Sequence, residues 1–340
     1  MSDKNKSEVT INDIARALGI SASTVSRSLN DSSKISEKTK SRVREMAVEL
    51  GYELNLVASS LSKSKTNLIG VIIPRLNSQF FSQAVSGIEE VARQSGYQII
   101  ICQSNEDFTK ECEMAKVLYS TRVDGVVACL SKETTTVEHF NVFIQKKVPV
   151  AMFDRVSYAI EGPKVVVDNY EGAYRATEHL IASGCTRLAH LAGPQNCKVF
   201  QERAEGFRDA LKKAGLPLLP RHLLASDLNE KDVRDSMALW MGLKEAPDGI
   251  FTASATSGLL MLNLVRNYNV RVPEDMAFIS FGNEPCNELI TPSLSAVDMP
   301  GLDMGKAAAK HLVDAIEKKQ NGDGIFLKPI QLLIRNSSFR

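Results

Sequence analysis

Ser23, Thr24, Ser26, Arg27 and Asn30 fall within eight residues and combine short hydroxyls, one carboxamide and one guanidinium, with no acidic side chain among them. Hydroxyls and amides exchange hydrogen bonds with base edges, and a guanidinium forks onto guanine or onto a phosphate. Ala22 beside them suits a thymine methyl. This is chemistry for reading double-stranded DNA, provided the groups stand on a helix slim enough for a major groove about 12 Å wide.

The flanking residues supply such a helix. Thr10 is expected as an N-cap whose hydroxyl accepts from the next turn, with Asp13 favouring the positive helix end. Ile11, Ile14, Ala15 and Leu18 then recur at helical spacing, and Gly19 stops the helix. Ser21 caps a second helix, Ala22 to Leu29, with Val25 and Leu29 as its buried positions. Ser36 caps a third, to Leu50, with Val43, Met46, Ala47 and Leu50 facing the first two; Gly51 and Tyr52 end it. A compact helical pair with no DNA role has the same periodicity. Residues 53–66 are rich in Ser and Lys yet place Leu56, Val57, Ala58 and Leu61 at near-helical spacing, so an ordinary flexible linker is the alternative there.

Asp-Ile-Ala, Gly, a hydrophobic residue and Ser, followed by Thr-Val-Ser-Arg and Leu-Asn, closely resemble the helix-turn-helix of the LacI family of bacterial transcription repressors. The resemblance implies DNA contacts from Thr10, Ser21, Ala22, Ser23, Thr24, Ser26, Arg27, Asn30 and Ser36. It also implies a hinge that becomes helical on the operator. That helix starts at Asn55, and Leu61, with Ala58 beside it, wedges between base pairs of the minor groove. Wedging costs stacking and is repaid by bending.

Charge agrees with this division. Residues 1–65 hold 11 Lys and Arg against 8 Asp and Glu, and the remainder 30 against 32. So small an excess predicts weak, salt-sensitive binding by one module, hence a homodimer or higher oligomer on two half-sites.

The 340 residues, 44% hydrophobic, exceed what the helical segment needs and leave a large second unit. No run approaches 18 apolar residues and the start, MSDKNKSE, is polar, so neither a membrane span nor a secretory signal is expected, and the location is read as cytoplasmic. Cys102, Cys112, Cys129, Cys185, Cys197 and Cys286 lack metal-ligand spacing and read as reduced, buried thiols.

From Asn67 strands and helices alternate. LIGVIIP, YQIIICQS, DGVVACL and VPVAMFD are strands of one series; KVVVDN, RLAHLAG, HLLASD, DGIFTAS and MAFISFG are strands of a second, with helices between. Two doubly wound parallel-sheet halves follow, with a ligand cleft at the strands' carboxyl ends. Neither GxGxxG nor GxxxxGK[ST] is present, and His139, His179, His190, His222 and His311 lack metal spacing. The chain is therefore read as no enzyme, with no cofactor and no metal.

The family resemblance extends through LIGVIIP, NSQFF, AMFDR, DNYEGAYRATEHLIASG, RLAHLAGP with ERAEGF, and VPEDMAFISF. It implies an all-α DNA-binding domain at 1–52, a hinge at 53–66, and an α/β sensor of periplasmic-binding-protein type at 67–340. Its first lobe is placed at about 67–166 and 298–328, its second at about 167–297 and 329–340. It places Asp154, Arg203 and Ser254 in the cleft, Phe80 and Phe81 on the loop after the first strand, and Asn283 at a later strand end. An aspartate accepts from paired hydroxyls, an arginine forks onto a carboxylate or vicinal hydroxyls, and an aromatic ring packs on a sugar face.

Departures qualify that expectation. Ser254 and Ala255 stand where relatives often have Asn-Asp, and Gly282 where an acidic residue is usual, while Met299 makes the cleft less polar; Asn283 and Glu284 partly compensate. A small-molecule effector is expected: a sugar, or a phosphorylated or acidic derivative. The alternatives are a degenerate pocket in a constitutive or protein-controlled regulator, and a solute-binding module with no DNA role.

Overall fold

The computed structural model describes residues 9–52, 65–318 and 323–340. The chain forms two compact units, Met1–Thr66 and Asn67–Arg340. Asn55, Ala58 and Leu61, expected in the hinge, lie outside the described residues.

In the first unit, helices α1 (Ile11–Leu18), α2 (Ala22–Leu29) and α3 (Glu37–Leu50) enclose Ile14, Ala15, Val25, Val43 and Ala47. Gly19 and Gly51 end α1 and α3 in the left-handed region, at φ 65° and 68°, where a Cβ would be strained. The Thr10 amide and hydroxyl both donate to the Asp13 carboxylate, at 2.9 and 2.7 Å, within a capping box at the start of α1. Two expectations are corrected. On α2 the second buried position is Ser28, not Leu29, because the Ser28 hydroxyl turns inward onto the Thr24 carbonyl at 2.8 Å. On α3 Leu50 is exposed, while Lys40 is covered and paired with Glu37 at 2.7 Å and Asp31 at 3.0 Å.

The second unit holds two six-stranded sheets. Strands β1 (Leu68–Ile73), β2 (Gln98–Gln103), β3 (Gly125–Ala128), β4 (Val150–Phe153), β5 (Pro163–Val167) and β11 (Gly324–Lys328) form one, in the order β11-β5-β4-β3-β1-β2, parallel throughout. The other has the order β12-β10-β9-β8-β6-β7, built from β6 (Leu188–Ala192), β7 (Leu223–Ala225), β8 (Gly249–Thr252), β9 (Ala277–Phe281), β10 (Ser295–Asp298) and β12 (Gln331–Leu333). Only its edge strand β12 is antiparallel. The interior strands β3, β4, β5, β6, β8 and β9 are buried at every position, which is why they read as unbroken apolar runs.

The chain passes between sheets after Val167, Asp298 and Lys328. Helix α4 (Gln79–Gln94) packs along α12 (Gly301–Ile316) on the first sheet, so closely that a Cβ on Gly305 would fall 2.0 Å from the Ala84 carbonyl. On the second sheet α7 (Asn169–Ala182) and α8 (Lys198–Lys213) pair in the same way. Met299 and Ile330, at two of the crossings, pack against the cores of both lobes.

Candidate nucleic-acid face and ligand cleft

Helix α2 exposes Ser23 and Arg27 to solvent, with Thr24, Ser26, Asn30 and Ala22 half-buried beside them. Ser21 caps the helix by accepting from the Thr24 amide at 3.2 Å, and its hydroxyl joins those of Ser23 and Thr24 at 2.8 and 2.9 Å. The three hydroxyls thus form one small cluster at the positive end of the helix. Asn30 donates one amide hydrogen to the Ser26 carbonyl at 2.9 Å, leaving its second N–H and its oxygen for a partner. Thr10 and Ser36 stand exposed at the starts of α1 and α3, where the Ser36 hydroxyl accepts from the Thr39 amide at 3.3 Å.

The second site is the cleft of about 490 Å³ between the lobes of the second unit. Asp154, Arg203, Phe80, Phe81, Ser254 and Asn283 all line it. Asp154 follows β4 in the left-handed region (φ 56°) and is 7% exposed. Its Oδ2 lies 3.7 Å from the Arg155 Nε, whereas Oδ1 is covered and accepts from no protein group. A buried acceptor without a donor costs about 1–3 kcal/mol, so this atom is poised for a donor from a ligand.

Arg203 is no surface arginine: it is 5% exposed. Its Nε and Nη2 donate to the Asn169 Oδ1 at 2.9 and 2.8 Å, and its Nη1 donates to the Ala253 carbonyl at 2.8 Å. The guanidinium lies 3.7 Å from the centre of the Phe281 ring. Burial pulls its pKa down to about 10, with Asp154 opposing the shift, and it remains a cation at neutral pH. Asn169 therefore aims Arg203; with Nη2 also directed at the Met299 sulfur at 4.0 Å, one hydrogen on Nη1 is left over for a ligand.

Other positions differ from expectation. Phe80 and Phe81 lie in the first turn of α4, not on a loop, and Phe81 belongs to the first lobe's core, 6.4 Å from Phe153. Phe80 keeps its place on the cleft wall. Ser254 is the N-cap of α10 (Ala255–Leu264), and its hydroxyl accepts from the Ser257 amide at 3.2 Å, so its acceptor is already used. Gly282, where a carboxylate is usual, has φ 96°, a backbone only glycine adopts without strain. Asn283 brings a second covered oxygen with no protein donor into the cleft.

Glu284 does not supply the missing anchor. Its carboxylate reaches across to the first lobe and accepts from the Ser78 hydroxyl at 3.2 Å and the Gln79 amide at 3.1 Å, capping α4 from the opposite side of the cleft. Lys132 makes a second bridge, its Nζ donating to the Asp227 carbonyl at 2.7 Å, and Asn196 donates to the Lys132 carbonyl at 3.2 Å. The salt bridge from Arg155 to Glu106, 2.6 Å at its shorter arm, stiffens the first lobe's wall. Reasoning from sequence missed Asn169, Glu106 and these bridges. Asn169 stands just beyond the carboxyl end of β5, where an open α/β sheet places ligand groups, and that was its available signal.

Three of the histidines are engaged within the fold. His190 stacks on Phe251 at 4.4 Å, His222 bonds the Leu188 and Glu245 carbonyls, and His179 bonds the Ser338 hydroxyl. All six thiols are unpaired; Cys102, Cys129 and Cys185 are buried as expected, but Cys112 and Cys197 are half-buried and Cys286, which opens the short helix α11 (Cys286–Leu289), is exposed. Among the described residues no helix is long and apolar enough to cross a membrane.

A helix-turn-helix unit joined in one chain to a two-lobed α/β unit is the architecture of a DNA-binding transcriptional regulator. Residues 10–55 match the lacI family of bacterial regulatory proteins, and residues 177–338 match the periplasmic binding protein-like domain. The chain is 31% identical over 331 residues to the HTH-type transcriptional regulator RegA of Clostridium saccharobutylicum, covering 97% of this chain and 99% of that one. A transcriptional regulator CelR–cellobiose complex superposes with a TM-score of 0.73 at 26% identity, over 97% of this chain and 100% of that one. The lac repressor dimer bound to operator and an anti-inducer shares the fold, with a TM-score of 0.85 at 22% identity over 98% and 100% of the two chains. The chain belongs to the LacI family of bacterial transcriptional regulators.

Proposed function

We propose that this protein is a repressor that binds a two-fold symmetric operator as a homodimer and is controlled by a small polyhydroxylated effector held between its lobes. Ser23, Thr24 and Arg27 address the major groove, Ser26 and Asn30 border them, and Thr10, Ser21 and Ser36 lie at phosphates near helix starts. Asn55, Ala58 and Leu61 act in the minor groove. In the cleft, Asp154 and Asn283 accept from effector hydroxyls, Arg203 donates, and Phe80 packs on the ring. Phe81 and Ser254 support this wall without contributing a free polar group.

The observation that carries the effector assignment is the covered, donor-less Asp154 Oδ1 in a cleft that Arg203 also lines. An effector that binds one lobe arrangement better than another shifts the population between them, and that differential is what an operator-binding dimer transmits to DNA. A mobility-shift titration of the full chain on its upstream DNA, with and without a panel of sugars, tests the reading. Saturable, sequence-dependent shifts that one sugar moves by tenfold or more are expected. Binding that no sugar alters leaves a DNA-binding protein without a sugar effector.

A further inference from the structure

A second cavity adjoins the cleft and shares three lining residues with it. This outer cavity, of about 870 Å³, opens between the lobes, and Asp154, Arg155 and Val199 line both. Each compartment is of the size that holds a small molecule, about 300–1,000 Å³. Tyr158, half exposed on the first lobe, meets Lys198 of the second lobe with the ammonium 4.4 Å from its ring centre, so the outer cavity has a wall built from both lobes. Asn169, 3% exposed, and Glu202, half-buried, line its floor. Burial pushes the Glu202 carboxyl above the usual range, with Lys198 at 3.6 Å pulling the other way. A desolvated carboxyl, a tyrosine ring and the Thr134, Thr135 and Thr136 hydroxyls make a surface for a hydroxylated ring.

The charge of both compartments selects against an anion. The outer cavity is lined by Asp154, Asp168, Glu202 and Glu205 against Arg155 and Lys198. The inner one has six carboxylate side chains against four cations, and setting aside the Arg155–Glu106 pair leaves five against three. A phosphorylated or acidic sugar would bring like charge to walls already negative.

Resting on the reading of the cleft as an effector site, we propose that it takes an uncharged glycoside of at least two sugar units. One ring sits in the inner compartment on Asp154, Arg203 and Asn283, and the next in the outer compartment on Tyr158 and Glu202. Asp154, at the junction, is placed to accept from a hydroxyl beside the linkage.

Calorimetric titration of the full chain tests this with glucose, galactose and mannose, their α- and β-linked disaccharides, and their 6-phosphates. At least one neutral disaccharide is expected to bind tenfold or more tightly than its own monosaccharide and than any sugar phosphate. Tyr158→Ala and, independently, Glu202→Gln are each expected to reduce that preference at least fivefold in protein whose circular dichroism matches the parent. A monosaccharide that binds as tightly as every disaccharide, or a phosphate that binds best, overturns the proposal. If no compound of either length gives heat or a thermal shift, the reading of the cleft as a sugar receptor fails first, and the proposal with it.

Discussion

Glu284 and Gln79, on opposite lobes of the sensor and 205 residues apart in sequence, are joined by a carboxylate that accepts the first backbone amide of α4 at 3.1 Å. Ser78, at the N-cap of that helix, makes no side-chain cap of its own, and its hydroxyl donates to the same carboxylate. Closing the lobes therefore completes a helix cap, and opening them exposes it. A charged acceptor at a helix N-terminus contributes about 0.3–2 kcal/mol, enough to bias a two-state closure by several fold.

Glu284→Gln keeps the side chain's size and removes its charge. In small-angle scattering the ligand-free variant is expected to have a larger radius of gyration than the parent. Identical scattering from the two proteins contradicts the role of Glu284 as a latch.

Asn169 accepts two of the three oxygen-directed hydrogen bonds made by Arg203, and both side chains are buried. Asn169→Ala leaves a buried cation short of acceptors and is expected to cost about 2–4 kcal/mol in urea unfolding of the sensor. It also frees Arg203 from its aim, so effector affinity should fall by more than tenfold even at temperatures where the variant is folded.

His190 gives the sensor an acid limit. Burial lowers its pKa from 6.5 to about 3, with Arg203 and Arg208 adding repulsion and the Phe251 carbonyl, 3.0 Å from Nδ1, opposing the shift. The unfolded chain takes up a proton below 6.5 that the folded chain refuses. The stability tied to this group is thus complete above 6.5 and falls by about 1.4 kcal/mol per pH unit as pH drops toward 3. Chemical unfolding at successive pH values should show that slope in the parent and its loss in His190→Leu.

Arg27 is exposed on α2 and is the one cation of that helix. Arg27→Ala is expected to weaken specific DNA binding by about 1–3 kcal/mol and to relax preference at one base position of each half-site. A uniform loss on every sequence would make Arg27 a phosphate contact instead.

Much of this architecture is written locally. Ile14, Val25 and Val43 fall at helical spacing between hydroxyl caps and glycine stops, and β3, β4, β5 and β9 are continuous apolar runs because both sheet faces are covered. Helix α12 is harder to read, since Gly301, Gly305 and the alanines at 307–309 are small for close packing on α4 rather than apolar in an obvious stripe. Edge strand β11 leaves Ile325 and Leu327 exposed and Phe326 stacked on His311, so its burial pattern is the reverse of what its apolar residues suggest. The site depends on partners that no local pattern records. Arg203 was recognisable as a cleft residue, but its acceptor lies 34 positions away on another helix, and the partners of Glu284 lie in the other lobe. Gly282 read as a missing ligand group, whereas its positive φ gives it a backbone role.

If a dimer of this chain reads a symmetric operator, selection of the protein against a pool of randomised duplex DNA is expected to enrich a palindrome whose half-sites share one sequence and hold a fixed spacing, and the Arg27→Ala variant is expected to lose that enrichment. Enrichment of a single asymmetric half-site, or none at moderate salt, would contradict that reading.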